Sequence, residues 1–318
     1  MLTDVHVHLA ALPTPENGCL LSPRMRRSLL LKLVARRLGL PLDDPREANR
    51  RYVELLENEL ASSTEVSHAV LLAMDGVYDS QGALDEAHTD FLISNDAALA
   101  ATKGSARLLP GASINPARRD AIDELDRCAE ACAVLVKVLP NAQAFNPAED
   151  RFRPFWRRLA ELKLPLLSHV GYEFSLIGQD QSVGDPGRLV PALEEGATVI
   201  AAHGCSFGLF FYEKHFGTML RLVAKYPNFY VDTSALTLPN RVGALLRISR
   251  HPELFDRLVF GTDFPLPCFA YPSLWASLAS YRRTRKHKNA FDRQVKVIES
   301  LGIAMRSDAV HFGPARVQ

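Results

Sequence analysis

The sequence predicts an α/β fold, a closed (β/α)₈ TIM barrel with a helical insertion after its first strand. Two observations predict it. Eight short apolar runs read as strands, and from the second onward helical patterns separate them. Polar residues suited to chemistry recur at the C-terminal ends of these runs, where barrel enzymes carry their sites. The strands are expected at 2–8, 68–74, 108–114, 133–139, 164–170, 197–203, 229–233 and 258–263. A doubly wound open sheet is the competing architecture, but no glycine-rich phosphate turn follows the first strand.

The first strand contains Asp4-Val5-His6-Val7-His8. Strand side chains alternate between faces, so His6 and His8 point the same way and Val5, Val7 and Leu9 the other. Two imidazoles within reach of one cation suit zinc and its first-row neighbours. About sixty residues then precede the second strand, with helical stretches at 23–38 and 45–61. The first is basic and amphipathic, carrying Arg24, Arg26, Arg27, Lys32, Arg36 and Arg37 among leucines and Val34. It is read as a cap beside the barrel mouth, because it follows a strand and so starts at the C-terminal face; a membrane-surface helix is the lesser reading. The insertion is placed at about 20–62, inside a single domain of residues 1–318.

Further along, helices are expected at 116–132, 150–163, 186–195 and 212–225. In the fourth strand Lys137 points inward with Leu135, while Val134, Val136 and Val138 face the helices. The fifth and sixth strands end at Ser168-His169-Val170-Gly171 and Ala202-His203-Gly204-Cys205. The eighth ends in Gly261-Thr262-Asp263-Phe264-Pro265, with Asp263 inward alongside Gly261 and Val259. Each of these residues has an ordinary reading: a satisfied core histidine, an ion-paired lysine, an aspartate capping a helix. The joint register favours a common site. Four histidines and a carboxylate at one end of one barrel are costly unless paired, and a metal would satisfy them together. Glu173 and Arg241, in the loops after the fifth and seventh strands, are candidates for orienting substrate or are solvated loop charges. Cys205 is read as a small buried thiol.

Composition narrows the partners. With 37 basic against 36 acidic side chains, nothing points to nucleic acid or a membrane surface. The run at 282–288 is read as a solvated face. Five cysteines without framework spacing are read as reduced thiols of a cytoplasmic protein. No run of apolar residues is long enough for a transmembrane helix, and no leader is expected before a strand that begins at residue 2. A small-molecule substrate is the expected partner; self-association into a homo-oligomer stays open.

These motifs together resemble the amidohydrolase superfamily of metal-dependent barrel hydrolases. The similarity is greatest to the branch containing aminocarboxymuconate-semialdehyde decarboxylase, hydroxybenzoate decarboxylases and some lactonases. The matching segments are Asp4–His8, Lys137-Val138-Leu139-Pro140, Leu167-Ser168-His169, Ala202-His203-Gly204 and Gly261–Pro265. The resemblance implies that His6, His8, His169 and Asp263 hold a divalent metal, with zinc the default. It implies that His203 holds a second metal or polarises the substrate. Lys137 matches a position that, in binuclear members, is carboxylated and bridges two metals; one ion or two stays open. The chemistry that follows is hydrolysis of a small ester, lactone or amide by a metal-activated water, with Asp263 as general base and His203 steadying the oxyanion. The alternative on the same scaffold is non-oxidative decarboxylation of a small aromatic or unsaturated acid.

Overall fold

Short β-branched and leucine-rich runs form the strands, and each is buried on both faces, as a barrel with helices outside requires. The computed structural model describes residues 1–305 except Ser175, Ile177 and Gln179. The end of the expected single domain, 306–318, lies outside the described residues. Eight parallel strands follow one another around a barrel: β1 (Leu2–His8), β2 (Val66–Leu72), β3 (Leu108–Ser113), β4 (Leu135–Val138), β5 (Leu166–Ser168), β6 (Val199–Ala201), β7 (Phe229–Asp232) and β8 (Leu258–Val259). Each pairs with the next in sequence. The ring closes where the chain after β8 returns to β1. Val5 N–H donates to the Phe260 carbonyl at 3.0 Å, Asp263 N–H to His6 at 2.8 Å, and His8 N–H to Phe264 at 2.8 Å.

One apolar cluster draws on all eight strands, with Val5, Leu72, Leu135, Leu167, Ile200 and Val259 at its centre and Leu109 and Tyr230 packed against it. This is the barrel interior. A larger cluster, including Val7, Leu71, Val136, Val138, Trp156 and Val297, lies between the strands and the surrounding helices. Alternation places most of these residues as expected, with two corrections. Val5 joins the interior rather than the helix side, because the pairing of β1 with β2 shifts register between Asp4 and Val7. Val134 also joins the interior; it precedes β4, where strand alternation does not bind it.

Most strands are shorter than expected. β5, β6 and β8 stop before His169, His203 and Asp263, which open the following loops. His203 and Asp263 have φ of +60° and +67°, a left-handed backbone that ends a ladder. Helices are trimmed likewise, to Ala121–Glu130, Arg153–Leu162, Val190–Glu194 and Phe216–Lys225. The regions expected to start the second and third of these begin as 3₁₀ turns, Asp150–Phe152 and Pro186–Leu189.

The insertion forms helices Pro23–Arg26, Leu29–Leu38 and Pro45–Ser62. Ser22 and Ser28 cap the first two through their hydroxyls, and Asp44 caps the third ahead of Pro45. A two-stranded ribbon, Leu20–Leu21 against Phe91–Leu92, ties the start of the insertion to the chain after β2. The long helix is anchored by Tyr52, buried, whose hydroxyl donates to the His8 carbonyl. That bond links the insertion to the strand end bearing the histidine pair. Tyr52→Phe is expected to cost about 1–2 kcal/mol by leaving this carbonyl unpaired. Urea unfolding checks it: the midpoint should fall at unchanged slope, and an unmoved midpoint removes the anchoring role.

Candidate metal centre

The barrel gathers the predicted residues at its C-terminal end, around a cavity of about 500 Å³ lined by His6, His8, Lys137, His169, His203 and Asp263. Glu173 and Arg241 line it too. His8 Nε2 lies 3.1 Å and His6 Nε2 3.5 Å from the same Asp263 carboxylate oxygen. Lys137 Nζ stands 3.1 Å from His6 Nε2. On the far side His203 Nε2 meets His169 Nδ1 at 3.1 Å. The His6 and His203 rings stack between these halves, with centroids 5.3 Å apart.

The sequence reading missed the residue that organises the group, Asp232 at the end of β7. It is fully buried, and both its oxygens are engaged. Oδ2 accepts from His6 Nδ1 at 2.7 Å. Oδ1 accepts from the His203 and Ser234 backbone N–H groups at 2.7 and 3.0 Å, and from the Ser234 hydroxyl. An available signal was its parity with Tyr230, which packs on the interior cluster.

These contacts assign the ring protons. An ionised Asp232 only accepts, so His6 carries its proton on Nδ1 and turns the lone pair of Nε2 to the cavity. The Ser234 hydroxyl spends its proton on Asp232, so it and the Ser234 carbonyl accept from His203 Nδ1, at 2.8 and 3.2 Å. The His203 Nε2 lone pair then accepts from His169 Nδ1–H. The chain ends at His169 Nε2, buried without a hydrogen-bond partner, 3.8 Å from Glu173. Carboxylate-backed imidazoles of this kind are the usual support of a metal ligand.

Electrostatics agree with that assignment. Burial pushes His169 and His203 well below the ordinary imidazole value, so both rings are neutral. Burial and the Lys137 charge also lower His6. Burial opposes ionisation of Asp263 and Asp232, but their histidine partners outweigh it and hold both carboxyls low, Asp263 especially. Burial brings the Lys137 amine down to about 8, with the Asp232 and Asp263 charges opposing. Arg241 is buried and donates to the Ser206 carbonyl at 2.9 Å.

Two glycines make the packing feasible. At Gly261 a Cβ would lie 3.0 Å from His6 Cβ and 3.4 Å from Asp232 Oδ2. Gly171, at φ +93°, would put a Cβ 2.4 Å from the Ser206 carbonyl, so only glycine brings the loop after β5 against the loop after β6.

Of the four predicted ligands, His6, His8 and Asp263 present atoms within 4.8 Å of one another and could hold a metal ion. His6, His203 and Asp232 lie as close together, but the Asp232 oxygens are already taken by His6 Nδ1–H, the His203 N–H and Ser234. His169 belongs to neither, but its orphaned Nε2 is the kind of atom a cation would satisfy. The donor set, imidazole lone pairs plus a carboxylate, fits a divalent ion.

The chain belongs to the amidohydrolase family, whose model matches residues 3–296. An uncharacterized TIM-barrel protein from Bordetella bronchiseptica is similar at 17% identity and a TM-score of 0.60, covering 95% of this chain and 96% of its own. A putative 2-pyrone-4,6-dicarboxylic acid hydrolase from Pseudomonas putida follows at 16% identity and 0.54, covering 95% and 90%. The apo IDCase of Metarhizium anisopliae stands at 14% and 0.52, covering 95% and 97%. At these identities the likeness is one of fold. No curated protein matches the chain in sequence.

Asp232→Asn is expected to weaken divalent-metal binding by about 10–100-fold while the protein stays folded, since it frees the His6 and His203 tautomers. Metal titration with circular dichroism checks it; unchanged affinity would remove the supporting role. Elemental analysis of protein purified without chelator should find about one or two equivalents, lost in His6→Ala/His8→Ala.

Proposed function

We propose that this amidohydrolase family member is a metal-dependent hydrolase of a small ester, lactone or amide. The observation that carries the reading is the convergence of His6 and His8 on the Asp263 carboxylate at the floor of the cavity. His6, His8, His169 and Asp263 would hold a divalent ion, with zinc the first choice for a histidine-rich set. When bound, the ion supplies a Lewis acid that polarises the carbonyl and lowers the pKa of water.

The side chains do the rest. Asp263, held ionised, takes the proton of the attacking water and returns it to the leaving oxygen or nitrogen. His203, neutral with its lone pair on Nε2, suits a ligand or proton-acceptor role. The oxyanion role needs a proton on that nitrogen, which burial opposes; Arg241 offers a permanent positive charge for it. Glu173 and Arg241 would orient the substrate. Lys137 is proposed as a carboxylation site. With its value near 8 a fraction of the amine is neutral at physiological pH, and adding CO₂ with loss of a proton would create an oxygen ligand for a second ion.

One feature favours the lyase alternative, decarboxylation of a small aromatic or unsaturated acid: the buried Arg241 guanidinium is a natural partner for a substrate carboxylate. For the setting, five free thiols support the cytoplasm, and no described helix is long and apolar enough to cross a membrane.

Asp263→Asn is expected to lower hydrolysis by about a hundredfold or more while retaining some metal. The assay screens lactones, aryl esters and small amides on metal-loaded protein, with unsaturated and aromatic acids followed for CO₂ release. CO₂ release without hydrolysis selects the lyase. Full hydrolysis by the variant removes Asp263 as base.

A further inference from the structure

The cavity is divided by polarity. Its floor carries Lys137, Asp263, Arg241 and the histidines. Its wall is built largely of carbon: Leu31 and Val34 from the insertion, Phe91 from the ribbon, Leu139 and Leu238 from barrel loops. In the Leu29–Leu38 helix, residues three and four apart share a side, which aligns Leu31, Val34, Ala35 and Leu38. Ala35 is buried and Leu38 packs on the main core, securing the helix. Leu31 and Val34, on the same side, line the cavity. Leu33 points away and is 65% exposed.

A volume of about 500 Å³ suits a small organic molecule, not the reacting group alone. A substrate polar throughout would bury hydrogen-bonding groups against this wall without partners. A substrate with an apolar body gains free energy with each carbon placed there.

We propose that Leu31 and Val34 are specificity-determining residues: the insertion forms the hydrophobic half of the substrate site, and the substrate carries an alkyl or aryl body beyond its reacting carboxyl or acyl group. This rests on the proposed function only for the placement of the reacting group at the floor. The wall exists to select the body, so affinity should rise with apolar length.

Calorimetric titration of straight-chain carboxylates, from butanoate to decanoate, into the purified full-length protein with its retained metal tests this. Wild-type affinity is expected to rise about fourfold per methylene until the wall is filled. Leu31→Ser/Val34→Ser should flatten that increment while butanoate affinity stays within about twofold. Leu31→Trp, which narrows the cavity and retains its apolar character, should end the rise at a shorter chain, and it serves if the double variant does not fold. Leu33→Ser should behave as wild type. A flat wild-type series, or a wild-type increment in the wall variants, overturns the proposal. Turnover is read separately. Length-dependent binding with neither hydrolysis nor CO₂ release removes the proposed reaction and leaves the wall standing. Turnover with a flat series does the reverse.

Discussion

The site depends on one buried carboxylate. Asp232 has no access to water and would be costly to ionise alone. Donors from His6, the His203 backbone and Ser234 hold it in the charged form. Because both oxygens only accept, each donor's orientation is fixed, and the fixing propagates. His6 is set directly, His203 through Ser234, and His169 through His203. Three imidazoles, from one strand and two strand-end loops, are therefore one hydrogen-bonded unit with fixed tautomers, and at its end His169 Nε2 keeps its lone pair unpartnered. This is preorganisation in a concrete sense: the ordering is done at folding rather than at metal binding.

The other half is set by barrel closure. Asp263 meets His6 and His8 because the chain after β8 pairs with β1, the Asp263 N–H donating to the His6 carbonyl. Buried Asp4 reinforces this seam, accepting from the backbone and hydroxyl of Thr262 and from the His6 N–H. Left-handed residues at His203 and Asp263 carry a conformational cost of about 1–3 kcal/mol each, tolerated where surrounding bonds over-determine them. Both have such bonds, to Asp232 and His6. The strained turns release these side chains from strand alternation and aim them across the barrel mouth.

Much of this was legible in the sequence, and the remainder has physical reasons. His6, His8, Lys137, His169, His203 and Asp263 announce themselves because imidazole, amine and carboxylate groups at apolar strand ends are expensive unless used. Barrel order follows from regular strand–helix alternation. Asp232 stayed hidden because Val231-Asp232-Thr233-Ser234 also reads as an ordinary strand giving way to a turn. Val5 was assigned to the wrong face because a register shift in β1 leaves no mark in the pattern of valines and histidines. The Leu20–Leu21 ribbon was invisible because two residues cannot display a period. Proton placement lies deeper still, being a property of contacts between strands far apart in the chain.

Floor and wall differ in how they are held, and this bears on how such a site can diversify. The floor is locked by the strand ladder, the closure seam and the Asp232 network, so a change there disturbs the orientation of the candidate ligands directly. The wall is carried by an inserted helix that packs on the main core through Leu38, while a second helix of the insertion, Pro45–Ser62, is tied to the barrel by the Tyr52 bond to the His8 carbonyl. Leu31 and Val34 can change size without touching a floor residue's hydrogen bonds. A barrel that separates its reactive end from its selective wall can retain one chemistry while its substrate changes, which is the separation of fold from function that barrels permit. The Tyr52 bond is the insertion's tie to the floor, because it fixes the Pro45–Ser62 helix to the carbonyl of a residue whose ring faces Asp263.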